Sequence, residues 1–345
     1  MQGQGRARLN TGASVAVVVT VFFLGGTISM AGGPGDLGGA VARLGGADLL
    51  ASVPGLATSG IEVDSRDFRR MLSASFTFAD LLELLHSADS AHGDGVVVVQ
   101  GTDTIDETVF LLDLLWTREE PVVVTGAMRT PAMAGADGPA NLLAAITVAA
   151  APAARGRGAL VVMNDEIHSA RHVAKTHTSS PAAFRSPNTG PVGRLVEGEP
   201  VFLVAAERVP PLERPARIEA RVPLVLTALG DDGALLECID ERCAGLVVAA
   251  FGVGHVPESW VERLTTLAAR MPVVLASRIG TGPVHTRTYG APGSETDLRR
   301  RGLLTSGWLT ACQARLVLLV LLGNGTSDVR AQFERRVSQH VLRFV

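Results

Sequence analysis

Two apolar runs in this chain each end in a glycine–threonine turn. Val15 to Val21 leads into Leu24-Gly25-Gly26-Thr27-Ile28, and Val96 to Val99 leads into Gln100-Gly101-Thr102-Asp103-Thr104. Short runs rich in β-branched residues, without polar alternation, read as parallel strands buried on both faces. In an open α/β sheet the turn beyond such a strand lies at its carboxyl end, where sites are built. Two threonine hydroxyls in that setting point to hydroxyl nucleophiles converging on one pocket, with Lys175 as a candidate activator.

The surrounding pattern supports an α/β fold. Val96 to Gln100, Pro121 to Thr125 and Leu160 to Asn164 read as strands, with helices predicted over Ile105 to Arg118 and Pro139 to Ala151. Such alternation builds βαβ units and a parallel sheet. Thr104-Ile105-Asp106-Glu107 has the spacing of a capping box, and Asp137-Gly138-Pro139 that of a second helix start. The pattern weakens from Glu197 to Arg221, where Pro200, Pro210, Pro211 and Pro215 sit among charges. That stretch reads as an interdomain connection, with a strand expected at Val201 to Ala205. Alternation then resumes with strands at Val222 to Ala228, Leu246 to Ala250 and Val273 to Ser277, and a buried helix over Leu309 to Leu322 ending near Gly323. The expected architecture is a larger N-terminal doubly wound sheet domain (1–199), a connection (200–220) and a smaller C-terminal α/β domain (221–345).

With 345 residues, 47% of them hydrophobic and 19% charged, the chain has enough sequence for two domain cores. A net charge of −3 gives no reason to expect nucleic acid or a membrane surface as partner. Arg6 and Arg8 before the apolar Ala13 to Leu24 imitate a leader, but the stretch is too short for a membrane span. Cleavage after it would remove the first strand, so it reads as core of a cytoplasmic protein. Cys238, Cys243 and Cys312 form no framework of paired cysteines, which fits reduced thiols.

Taken together, the motifs resemble the L-asparaginase family of two-threonine amidohydrolases over nearly the whole chain. The resemblance rests on Gly25-Gly26-Thr27-Ile28, Gly101-Thr102-Asp103-Thr104 with Glu107-Thr108, and Gly126-Ala127-Met128-Arg129. It continues through Ala136-Asp137-Gly138-Pro139 with Asn141-Leu142, Val161-Val162-Met163-Asn164-Asp165, Val173-Ala174-Lys175-Thr176, and Ser306-Gly307 with Ala314-Arg315. It implies hydrolysis of L-asparagine to L-aspartate and ammonia through an acyl-enzyme, with Thr27 as nucleophile and Thr102, Asp103 and Lys175 as a second catalytic set. It implies no metal or organic cofactor, and a homodimer or homotetramer whose sites are completed across an interface. Independently, an amide needs both an activated nucleophile and a proton donor at its leaving group. A lysine serves once its pKa is depressed, whereas Asp103 alone would hold Lys175 charged and is better suited to orienting substrate.

By the same resemblance Gly101, Thr102, Asp103 and Ser75 contact substrate, although Phe76 stands where the family has a glutamine. Ser29 to Ala42, rich in glycine, matches a mobile lid. Family lids often carry a tyrosine that partners the first threonine; this one has none. The chain's single tyrosine, Tyr289, stands where many relatives have a glutamate, and its hydroxyl is the expected replacement. Gly252-Val253-Gly254-His255 corresponds to a segment that reaches a neighbouring subunit's site.

Other readings of these residues are weaker. Thr102 and Asp103 could cap a helix, but the spacing gives that role to Thr104. His168 and His172 lie four apart, yet no His-Glu-x-x-His pattern accompanies them and a structural role is expected. The glycine-rich stretch from Ala31 lacks the spacing of a phosphate loop. The alternatives on this fold are a preference for glutamine or another amide, and a non-catalytic amino-acid sensor.

Overall fold

The computed structural model describes residues 16–31 and 41–340. Arg6, Arg8 and residues 32–40 of the expected lid lie outside them. The lid's two ends pair as a short antiparallel ladder, Met30 with Ala42 and Ala31 with Val41.

The larger domain is built on one mixed sheet of eight strands. In chain order these are β1 (Val17–Phe23), β2 (Ile61–Asp67), β3 (Gly95–Val99), β4 (Val122–Thr125), β5 (Ala159–Met163), β6 (Glu166–Ser169), β7 (Gly193–Val196) and β8 (Glu199–Phe202). Their spatial order is β8-β7-β6-β5-β4-β3-β1-β2. Strands β2, β1, β3, β4 and β5 are parallel, and the remaining ladders are antiparallel. The buried parallel strands have side chains to hide on both faces. Phe22, Val96 and Val98 pack with helices α2 (Phe78–Asp89) and α3 (Ile105–Leu115). Val19, Val21, Val97 and Val99 pack on the other face with α1 (Gly46–Ala51) and α4 (Gly138–Ala150). This is the doubly wound layering expected from the apolar runs.

Several boundaries differ from the sequence reading for local reasons. β5 stops at Met163 because Asn164 and Asp165 take left-handed backbone, making the two-residue turn into β6. α3 ends at Leu115, where Trp116 turns to extended backbone and its indole donates to the Glu120 carbonyl at 2.7 Å. The strand expected at Val201 to Ala205 is β8, the outer edge of the large sheet, so that sheet reaches Phe202. The Thr104–Glu107 capping box does not form: Thr104 makes no side-chain cap on α3. A 3-10 turn, Thr102–Thr104, runs straight into the helix, and the Thr104 hydroxyl is engaged elsewhere.

The smaller domain has four parallel strands in sequential order: β9 (Leu224–Leu226), β10 (Leu246–Ala250), β11 (Val273–Ser277) and β12 (Leu304–Thr305). Helix α5 (Val261–Arg270) covers one face. Helices α7 (Ala311–Gly323) and α8 (Val329–Gln339) cover the other, while α6 (Glu295–Arg300) precedes β12. Residues of α3 and α7 belong to one continuous apolar core, which fastens the domains together. The connection is tied down as well. Leu212 N–H donates to the Leu114 carbonyl at 2.7 Å, and Asn324 Nδ2 to the Glu213 carbonyl at 2.7 Å.

Candidate active site

The sheet's strand order reverses at β1, which lies between β2 and β3. The turns after β1 and β3 therefore flank a topological switch point, the place where open α/β sheets leave a crevice. Register brings the two turns level: Phe23 pairs with Val99, and Leu24 N–H donates to the Val99 carbonyl at 2.9 Å. They then touch. A Cβ on Gly26 would lie 2.3 Å from the Gly101 nitrogen, so only a glycine admits this approach. Gly26 also has φ +94, which glycine alone adopts readily. The Ser29 hydroxyl and N–H both donate to the Gly26 carbonyl, at 2.8 and 3.0 Å, and fix Thr27 at the start of a 3-10 turn.

Lys175 completes the second turn. It sits on a two-residue ladder with Phe184–Arg185, and its backbone N–H donates to Asp106 Oδ2 at 3.3 Å. Its Nζ donates to Thr102 Oγ1 and to Asp103 Oδ1, each at 2.9 Å. Thr102 is buried, while the Asp103 side chain is 67% exposed and so remains open to a ligand. Asp106, one turn into the same motif, has its carboxyl pKa raised by burial, against hydrogen bonds from the Lys175, Asp106 and Glu107 backbone and the Lys175 charge.

Two residues given no catalytic part in the sequence reading support this turn. Gln100 is fully buried, and its Nε2 donates to the Gly101 carbonyl and to Thr104 Oγ1, both at 3.2 Å. The Thr104 hydroxyl in turn donates to the Ser73 carbonyl at 3.3 Å. This ties the Thr102–Thr104 turn to the Ser73–Ser75 turn that carries exposed Ser75. A buried glutamine at a strand end was the available signal, since such a side chain needs partners.

Other motif residues brace the scaffold. The Asp137 carboxylate accepts the Met128 and Arg129 N–H groups at 3.0 and 2.9 Å. Asn141 donates to the Gly126 carbonyl at 3.0 Å and accepts the Asn164 N–H at 2.9 Å. They tie the ends of β4 and β5 to α4.

Tyr289 lies in the smaller domain, half exposed. Its ring stands edge-on to His255 at 4.9 Å between centroids. His255 Nε2 is 3.3 Å from Glu295 Oε2, and the buried Glu295 carboxylate accepts the Thr288 and Tyr289 N–H groups, both at 2.8 Å. Burial raises the Glu295 pKa, but these bonds outweigh it and hold the carboxyl below its usual range. Among the described residues no hydrogen bond joins Tyr289 to Thr27 within one chain.

His168 is fully buried and hydrogen-bonded through Nδ1 to Ser186 Oγ at 3.0 Å. Among the described residues no group of three or more His, Cys, Asp or Glu side chains is arranged to hold a metal.

The fold is that of an α/β enzyme, with two threonine turns and a lysine gathered at the carboxyl ends of strands in a doubly wound sheet. Residues 18–207 match the family described as asparaginase, N-terminal, and residues 221–333 the glutaminase/asparaginase C-terminal domain. A probable L-asparaginase of Deinococcus radiodurans is 39% identical over 294 residues, 83% of this chain and 89% of that protein. L-asparaginase 2 of Escherichia coli K12 is 31% identical over 328 residues, 90% and 91% of the two chains. A glutaminase-asparaginase of Pseudomonas fluorescens is 32% identical over 292 residues, 81% and 80%. The chain belongs to the asparaginase family of amidohydrolases.

Proposed function

We propose that this enzyme hydrolyses L-asparagine to L-aspartate and ammonia. The observation that carries this is Lys175 Nζ bonded at 2.9 Å to both Thr102 Oγ1 and Asp103 Oδ1, on a turn abutting the one that holds Thr27. Thr27 Oγ attacks the side-chain amide carbon, the amine leaves as ammonia with a proton delivered to it, and an aspartyl ester remains on Thr27. Water then attacks that ester, its proton returns to Thr27, and aspartate departs. Lys175 and Thr102 supply a hydrogen-bonded donor–acceptor pair suited to moving protons in both halves. Asp103 clamps the substrate ammonium, and the exposed Ser75 and the Gly101 backbone hold its carboxylate. A second copy completes the site by bringing Tyr289 to Thr27, giving a homodimer or homotetramer. No metal or organic cofactor takes part. We place the protein in the cytoplasm because β1 is paired on both sides, with β2 and β3, and cleavage of the apolar stretch would remove it.

A glutamine preference is the second reading, favoured by relatives named glutaminase-asparaginase. Ammonia release from L-asparagine and L-glutamine, by wild type beside Thr27→Ala and Thr102→Ala, tests both. Asparagine turnover lost in both variants is expected. Faster release from glutamine reverses the preference. A folded wild type that releases no ammonia from either substrate, yet is stabilised by aspartate, is a sensor instead.

A further inference from the structure

A cavity of about 450 Å³ opens between α2, α3 and α7. It shares Thr104 with the catalytic turn, but Thr27, Thr102, Asp103 and Lys175 are not among its lining residues. One side is apolar, formed by Phe76, Phe78, Ile218 and Leu316. Beside Thr77 and Thr104, whose hydroxyls donate to Asp80 and to the Ser73 carbonyl, its polar lining residues are Glu107, Thr108 and Arg315.

These polar groups are incompletely matched within the protein. Arg315 donates through Nε to the Val222 carbonyl at 2.8 Å and lies 5.8 Å over the Phe78 ring. Glu107 feels the Arg315 charge, yet the two form no ion pair among the described residues. Burial and neighbouring Asp106 raise the Glu107 pKa, and Arg315 offsets them only in part, so this carboxylate is short of positive charge. Thr108 is 1% exposed and its hydroxyl has no hydrogen-bond partner. Buried polar groups left so are uncommon.

We propose that this cavity binds a free α-amino acid with an apolar side chain. Arg315 receives the carboxylate through its outer nitrogens, a geometry the guanidinium fork favours. Glu107 receives the ammonium, and the side chain lies along Phe76, Phe78 and Leu316. One cation, one anion and an apolar wall match a net-neutral zwitterion, whereas a lone acid or amine leaves one charge unmatched. This site is separate from the one proposed to hydrolyse asparagine.

Calorimetric titration of the full chain with L-leucine tests it. Expected is one L-leucine per chain, weakened at least about tenfold in Arg315→Met and in Glu107→Gln, since each removes a charge-assisted bond. Isoamylamine and 4-methylpentanoate, each lacking one charged end, should bind weaker by a similar factor. Thr102→Ala should leave L-leucine binding unchanged, which separates this cavity from the catalytic pocket even if the protein turns over no amide. Absence of binding, unchanged affinity in Glu107→Gln, or loss in Thr102→Ala overturns the proposal. Should Arg315→Met fail to fold, Glu107→Gln and the two truncated ligands decide.

Discussion

Gly26 packs directly on Gly101, with room for no atom between them. This contact sets the spacing of the two threonine turns, and through them the site. Gly26→Ala must clear a rigid backbone nitrogen 2.3 Å away and also hold φ +94, so it should cost more than about 3 kcal/mol. Gly55→Ala is the control. It shares a left-handed φ of +82 but has nothing within 4 Å, and should cost only about 1 kcal/mol of backbone strain. Urea unfolding of the two variants measures the difference; equal losses would mean that the contact with Gly101 is not what restricts Gly26.

Lys175 Nζ holds Thr102 and Asp103 together, so Lys175→Met should lower kcat for asparagine by roughly a thousandfold, within the usual range for an acid–base group. Lys175→Arg keeps the charge but replaces a compact ammonium by a planar fork and should recover little. Stopped assays of ammonia release, with the melting temperature recorded beside them, check this. Turnover within tenfold of wild type in a folded Lys175→Met would remove Lys175 from the chemistry.

The layered architecture was legible because the parallel strands are uninterrupted apolar runs, such as Val96 to Val99, and such runs have few alternatives. The meeting of Thr27's turn with Thr102's turn was legible as motif but not as geometry, since Gly26 facing Gly101 depends on β1 and β3 being neighbours. Thr104 was misread for a physical reason. Its spacing to Glu107 fits a cap, but its hydroxyl bonds across to the Ser73 carbonyl and Gln100, partners far off or invisible in local sequence. The roles of Asp137 and Asn141 as braces between strand ends were hidden likewise, because their partners become neighbours only when β4, β5 and α4 assemble.

Tyr289 has its ring against His255 and its backbone fixed by buried Glu295, an arrangement that presents a phenol at the surface of the smaller domain. If it serves Thr27 of a second copy, Tyr289→Phe should lower asparagine turnover at least about tenfold with little change in melting temperature. Hybrids of Thr27→Ala and Tyr289→Phe chains should then regain activity, because one site per pair has both hydroxyls. Full activity of Tyr289→Phe alone, or hybrids as inactive as their parents, would rule the role out.

His168 gives the fold an acid-sensitive point. Burial, with the charges of Arg194 and Arg185, lowers its pKa to about 4, against an ordinary value of 6.5. Between those values the unfolded chain takes up a proton that the folded protein refuses. The contribution is therefore fully present above pH 6.5, shrinks as the pH falls, and levels off below 4 after a loss of about 3 kcal/mol. His172, lowered to about 4 mainly by burial, acts in the same direction. His168→Gln, which can keep a hydrogen bond to Ser186, removes one titrating group. Urea unfolding at pH 7 and pH 5 should show wild type losing about 2 kcal/mol more than the variant between the two. Equal losses would mean that His168 accepts its proton as readily inside the fold as outside.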